Sequence, residues 1–127
     1  MENIRTENII ASYFSTHPET TATTREIFRF REDLRMVFEK MEVTVYLEFT
    51  NASLINVLND YPTIFEWDTK QIHCKDKTRL EQYAKDLLNV RIPDKIREQY
   101  KEAIKQVLNI EKGLSIGEKF LGDLNYN

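Results

Sequence analysis

The residues best equipped for chemistry in this chain of 127 residues stand close together in "KQIHCKDKTR", Lys70 to Arg79. His73 and Cys74 are the types that a base and a nucleophile require, but they are immediate neighbours in a segment that reads as extended. Successive side chains of a strand point to opposite faces, which separates imidazole from thiol. The expected arrangement is therefore Cys74 packed inward and His73 outward, with no catalytic residue. A zinc site needs about four ligands, and His17, His73 and Cys74 are the whole supply of imidazole and thiol, at no recognised spacing. Neither a metal nor another cofactor is expected. Carboxylates pair at Glu32 with Asp33 and at Asp60 with Glu66, beside helix ends or on exposed faces where solvated charge is the default. No glycine precedes Gly113, so a glycine-rich phosphate loop has no place before it. The chain reads as a non-enzyme.

What the same stretch does carry is positive charge. Lys70, Lys75, Lys77 and Arg79 would neutralise phosphates and make binding sensitive to salt. The chain as a whole has a net charge of −3, but the charge is unevenly spread: residues 1–68 carry −6, residues 69–105 carry +4 and residues 106–127 carry −1. Such asymmetry can mark a face for an anionic partner, although a helix surface rich in Lys and Glu is more often simply solvated, and that reading comes first. Arg29 and Arg35 offer a second basic patch earlier in the chain.

Composition sets the frame for these residues. The length fits one domain, and 41% hydrophobic with 31% charged residues suits a globular chain. No apolar run approaches the roughly 20 residues of a membrane helix, and "MENIRTEN" lacks the order of a signal peptide, so an intracellular protein away from membranes is expected. One cysteine makes no internal disulfide and fits a reducing compartment.

Apolar spacing then lays out the elements. Ile9, Ile10, Tyr13 and Phe14 share one face of a first helix that stops near His17, ahead of Pro18. "TTATT", Thr20 to Thr24, reads as a loop closing in a capping box of Thr23 and Glu26. A second helix, about Thr24 to Met41, carries the stripe Ile27, Phe30, Leu34, Val37, Phe38 and Met41. "EVTVYLEFT" alternates as a strand does, with Val43, Val45, Leu47 and Phe49 on one side. "NASLINVLND" is a third helix capped at Asn51, with Leu54, Ile55, Val57 and Leu58 inward, and Pro62 ends it. "YPTIFEWDTKQIHCKD" is two short arms around a polar corner, a hairpin without the usual Asn-Gly turn. Two amphipathic helices follow, the second begun by Pro93. A short helical turn through Leu114, Ile116, Phe120 and Leu121 then frays.

Helix, helix, strand, helix, hairpin is close to the order of a winged helix. The expectation is one α+β domain, mostly α, over 1–127: a winged-helix-like core of three helices plus a β-hairpin wing at 4–76, and a C-terminal helical extension at 77–127. "NASLINVLNDYPTIFEWDTKQIHCKD", Asn51 to Asp76, resembles the closing part of winged-helix modules of the La-motif and LOTUS kind, and "YFS" at Tyr13 to Ser15 resembles the aromatic triplet of the first La-motif helix. That family binds single-stranded RNA ends, and the resemblance implies that Tyr13 and Phe14 stack on bases.

Two functions follow. The first is a nucleic-acid-binding module, for DNA or RNA, acting through the wing and the basic segment after it. A third helix with no Arg or Lys weighs against it. The alternative is a docking or assembly module, with a protein partner or a second copy held on the C-terminal helices through Tyr83, Leu87, Ile96, Tyr100, Ile104 and Val107. The first requires the four basic residues to share one exposed face, and the second requires a contiguous apolar patch.

Overall fold

The computed structural model describes residues 2–68, 70–90, 92 and 94–124, which form an α+β arrangement that is mostly helical. In chain order its elements are β1 (Glu2–Ile4), α1 (Thr6–Thr16), β2 (Thr21–Thr23), α2 (Thr24–Lys40), β3 (Val45–Leu47), α3 (Asn51–Asp60), β4 (Phe65–Trp67), β5 (Gln71–Cys74), α4 (Lys77–Val90) and α5 (Asp94–Leu124). Among the described residues, no helix is long and apolar enough to cross a membrane.

The helices start and stop where local chemistry dictates. Thr23 and Glu26 form the expected capping box on α2: Glu26 N–H donates to Thr23 Oγ1 at 3.1 Å and Thr23 N–H donates to Glu26 Oε1 at 3.0 Å. At the other end Val43 N–H reaches Phe38 O at 3.0 Å and Glu42 N–H reaches Glu39 O at 3.1 Å, a Schellman closure. Its left-handed position, which favours glycine, is filled by Glu42 at φ 57°. The cap of α3 is Thr50, not Asn51, because Thr50 Oγ1 is the group that accepts the Ser53 N–H, at 3.1 Å.

Two small sheets join the helices. β1 and β3 pair in parallel, Ile4 opposite Leu47. β2, β5 and β4 form an antiparallel sheet in that order, with Thr21 opposite His73, and Phe65 opposite Cys74. The reading of "TTATT" as a loop is thus corrected, since its middle three residues supply the third strand beside the hairpin. "EVTVYLEFT" contributes a strand of only three residues, and it pairs with β1 rather than with the hairpin.

One contiguous core unites the elements. The stripe on α2 is buried at Ile27, Phe30, Leu34, Val37 and Phe38, with Met41 packed at its edge. α4 packs on α1 and α5 packs on α2. The extension is therefore part of the core: Tyr100 is fully buried, its hydroxyl 2.6 Å from Ser12 Oγ and 3.2 Å from Asn8 O, both on α1. The backbone of α5 continues helically to Leu124, past the short turn expected for the tail. The side chains of Leu114, Ile116, Phe120 and Leu121 lie outside the described residues, as does Pro93.

Candidate nucleic-acid interface

The outer face of α3 and the hairpin beside it are the surface that the extension leaves bare. Leu54, Val57 and Leu58 turn α3 toward the core, so Asn51, Ala52, Ile55, Asn56, Asn59 and Asp60 face out. The start of the helix is fixed from two sides. Thr50 and Ser53 cap it, and Thr6 Oγ1 lies 2.8 Å from Ser53 Oγ and donates to Glu48 O at 2.6 Å, tying α3 to the first residue of α1. Its end is tied to the β4–β5 hairpin, because the Trp67 indole N–H donates to Asn59 Oδ1 at 3.2 Å.

The hairpin itself turns on Asp68. Its Oδ1 accepts the Lys70 and Gln71 N–H groups at 2.7 and 2.9 Å, an Asx turn that replaces the missing Asn-Gly pair. Those backbone donors, Lys70 first, hold the Asp68 carboxyl below the usual carboxylate range. "WDTK" carries this signal, an Asp three residues before the start of the returning arm. Along β5, His73 faces out and Ile72 and Cys74 face in, as alternation requires. Burial pushes the Cys74 thiol up, away from the reactive thiolate.

The four basic residues of the segment do not share a face. Lys70 is exposed at the tip of the hairpin, and Lys75 is exposed at its root, its N–H bound to Ile64 O at 2.7 Å. Lys77 turns back instead: its ammonium donates to Phe14 O and to His17 O, the latter at 2.7 Å, and neutralises the carbonyl end of α1. Arg79 lies 3.4 Å from Asp76, the residue whose side chain also caps the start of α4. Of the second patch, Arg35 is engaged by Glu32 and Glu39, while Arg29 is exposed beside Asp33.

Tyr13 and Phe14 are not a stacking platform. Both are buried, at 6% and 0% exposure, with Tyr13 stacked on His17 and edge-on to Phe14 and Phe30. Their apolar faces fill the core, so no base can reach them. The expected docking residues meet the same fate. Ile96, Tyr100 and Val107 are buried, Ile104 is half-buried against the core, and Tyr83 is half-buried with its ring 4.5 Å from that of Tyr61. The stripes of α4 and α5 cover the core of the protein. The side chain of Leu87 lies outside the described residues.

Compared with protein-family models, with curated proteins and with solved structures, the chain matches none.

An open cleft of about 480 Å³ lies elsewhere, lined by Phe14, His17, Pro18, Thr20, Lys77 and Glu81 among others. Its one lysine is the cation already committed to the end of α1. No group of three or more His, Cys, Asp or Glu converges on a metal-sized site among the described residues.

Proposed function

We propose that this chain is a winged-helix-like nucleic-acid-binding module whose contact surface is the outer face of α3 with the β4–β5 wing. The observation that carries the reading is topological. Leaving aside the parallel β1–β3 pair, the order is α1, β2, α2, α3, β4, β5, and the hairpin returns so that β5 lies between β4 and β2. In a winged helix that arrangement sets the third helix and the wing side by side against a duplex. The Trp67 bond to Asn59 supports the same pairing of helix and wing. Within the segment once expected to bind phosphate, the role now falls to Lys70 and Lys75.

The test is binding of labelled duplex and single-stranded DNA and RNA over a salt series, with the double variant Lys70→Ala, Lys75→Ala beside the parent. The reading expects affinity that falls with salt and with the double substitution. Absence of binding at low salt would sink it. Docking of a protein partner on α5 is the second reading, favoured by Ile110, an apolar side chain 40% exposed on that helix.

A further inference from the structure

We infer that the outer face of α3 reads A·T base pairs in the major groove of duplex DNA, with Asn51 and Asn56 as the specificity-determining residues. The inference rests on the proposed nucleic-acid function and names its ligand. At 3.6 residues per turn, Asn51, Ile55, Asn59, Ala52 and Asn56 occupy a continuous arc of about 140° that contains no charged side chain. Asp60 stands at its edge. That composition is unusual for a reading helix, and it restricts what can be read. Guanine is recognised through paired donors to O6 and N7, supplied by Arg or Lys, and α3 has neither. Adenine is recognised by an amide that donates to N7 and accepts from the N6 amino group, which is asparagine chemistry. Thymine offers a methyl group, for which Ala52 and Ile55 are apolar partners, Ile55 being 39% exposed in the middle of the arc.

The three asparagines are not equivalent. Asn59 Oδ1 already accepts from Trp67, so one of its two lone pairs and the orientation of its amide are committed to the hairpin. Asn51 and Asn56 are exposed and their side chains make no hydrogen bond among the described residues, so both halves of each amide are open. Neither caps α3, because Thr50 does. Duplex RNA is not the ligand of this face, since its deep, narrow major groove admits no helix.

The experiment is anisotropy titration of the full chain, at one low salt concentration, with duplexes that share flanks and differ only in an A·T or a G·C centre. The A·T centre should bind at least about fivefold tighter, the lower end of a single bidentate contact. Asn51→Ala and Asn56→Ala should each shrink that ratio by weakening the A·T duplex more than the G·C duplex. Uracil in place of thymine should weaken binding to the parent, and less so to Ile55→Ala, which keeps Ala52 as a partner for the methyl group. Lys70→Ala should weaken both duplexes alike. Equal affinity for the two centres, an A·T preference untouched by either asparagine substitution, or equal binding of matched duplex RNA would overturn the inference while the nucleic-acid reading stands. No binding of any nucleic acid would overturn both.

Discussion

His17 Nε2 and Glu111 Oε2 lie 2.9 Å apart across 94 positions of sequence, and they fasten the end of α1 to α5. The other ring nitrogen, Nδ1, is 2.7 Å from Tyr13 O, which only accepts, so Nδ1 carries a hydrogen there. The ring also stacks on Tyr13 at 4.1 Å. His17→Ala removes stacking and both bonds, and it should cost about 1–3 kcal/mol of unfolding free energy in a urea titration. Glu111→Gln keeps the shape and should cost under about 1 kcal/mol, as a partly exposed ion pair does. Equal losses in the two variants would show that the carboxylate, not the stacked ring, dominates the fastening.

Lys77 is expected to act on stability and not on nucleic acid. Lys77→Met leaves the carbonyls of Phe14 and His17 without their charged donor, at a cost of about 1–2 kcal/mol. The same substitution should leave the dependence of nucleic-acid affinity on salt unchanged. A flatter salt dependence in Lys77→Met would return this residue to the interface.

The salt dependence itself has an expected size. Each phosphate neutralised on duplex DNA contributes about −0.9 to the slope of log affinity against log salt. Two available cations, Lys70 and Lys75, give a slope of about −2 in place of the −4 or so that four would give. The double variant should bring it near zero. A slope near −4 in the parent would mean that Arg79 leaves Asp76 on binding and that Arg29 joins the contact as well.

Alkali should unfold the protein through its buried phenols. Burial raises the Tyr100 hydroxyl above its ordinary 10.0, and burial with the nearby Glu26, Glu19 and Glu111 carboxylates pushes Tyr13 up to about 12. A raised folded-state value means that the folded chain keeps a proton the unfolded chain has lost. The contribution is intact below pH 10.0 and is lost as pH climbs from there toward the folded value. Each such phenol limits the decline to about 1.4 kcal/mol per pH unit. Tyr100→Phe should start about 1–2 kcal/mol less stable at neutral pH, with Ser12 and Asn8 O losing a partner, and should then decline less steeply. Urea midpoints between pH 8 and pH 11 make the comparison. Parallel curves for the two proteins would exclude Tyr100 as a source.

Glu42 offers a change in the stabilising direction. A side chain at φ 57° carries left-handed strain of about 1 kcal/mol that glycine does not. Glu42→Gly should raise stability by about 0.5 kcal/mol once the greater freedom of the unfolded glycine is subtracted. A lower thermal midpoint in Glu42→Gly would contradict the Schellman assignment.

How much was legible in the sequence depended on how local the determining contact is. The stripe from Ile27 to Phe38, the Thr23 and Glu26 box and the breaks at Pro18 and Pro62 are set within a turn or two of helix, and all were read correctly. β2 was not, because its three residues, Thr21 to Thr23, bury only Ala22 and owe their extended form to β5, about 50 positions away. β1 escaped for the same reason, being held by β3. The site suffered most where a charged side chain had two uses. Lys77 sits in a basic run, and nothing adjacent says that its ammonium reaches back to the end of α1. Tyr13 and Phe14 are aromatic in either role, and distant contacts decide that they are core, Tyr13 against Phe30 of α2 and Phe14 against Phe65 of β4.

The hydrogen bond from Trp67 to Asn59 has a practical consequence. Trp67 is the single tryptophan of the chain, half-buried at the seam between α3 and the β4–β5 hairpin. Its emission is therefore a built-in optical reporter of that seam alone, so that separation of hairpin from helix can be followed in the unlabelled protein.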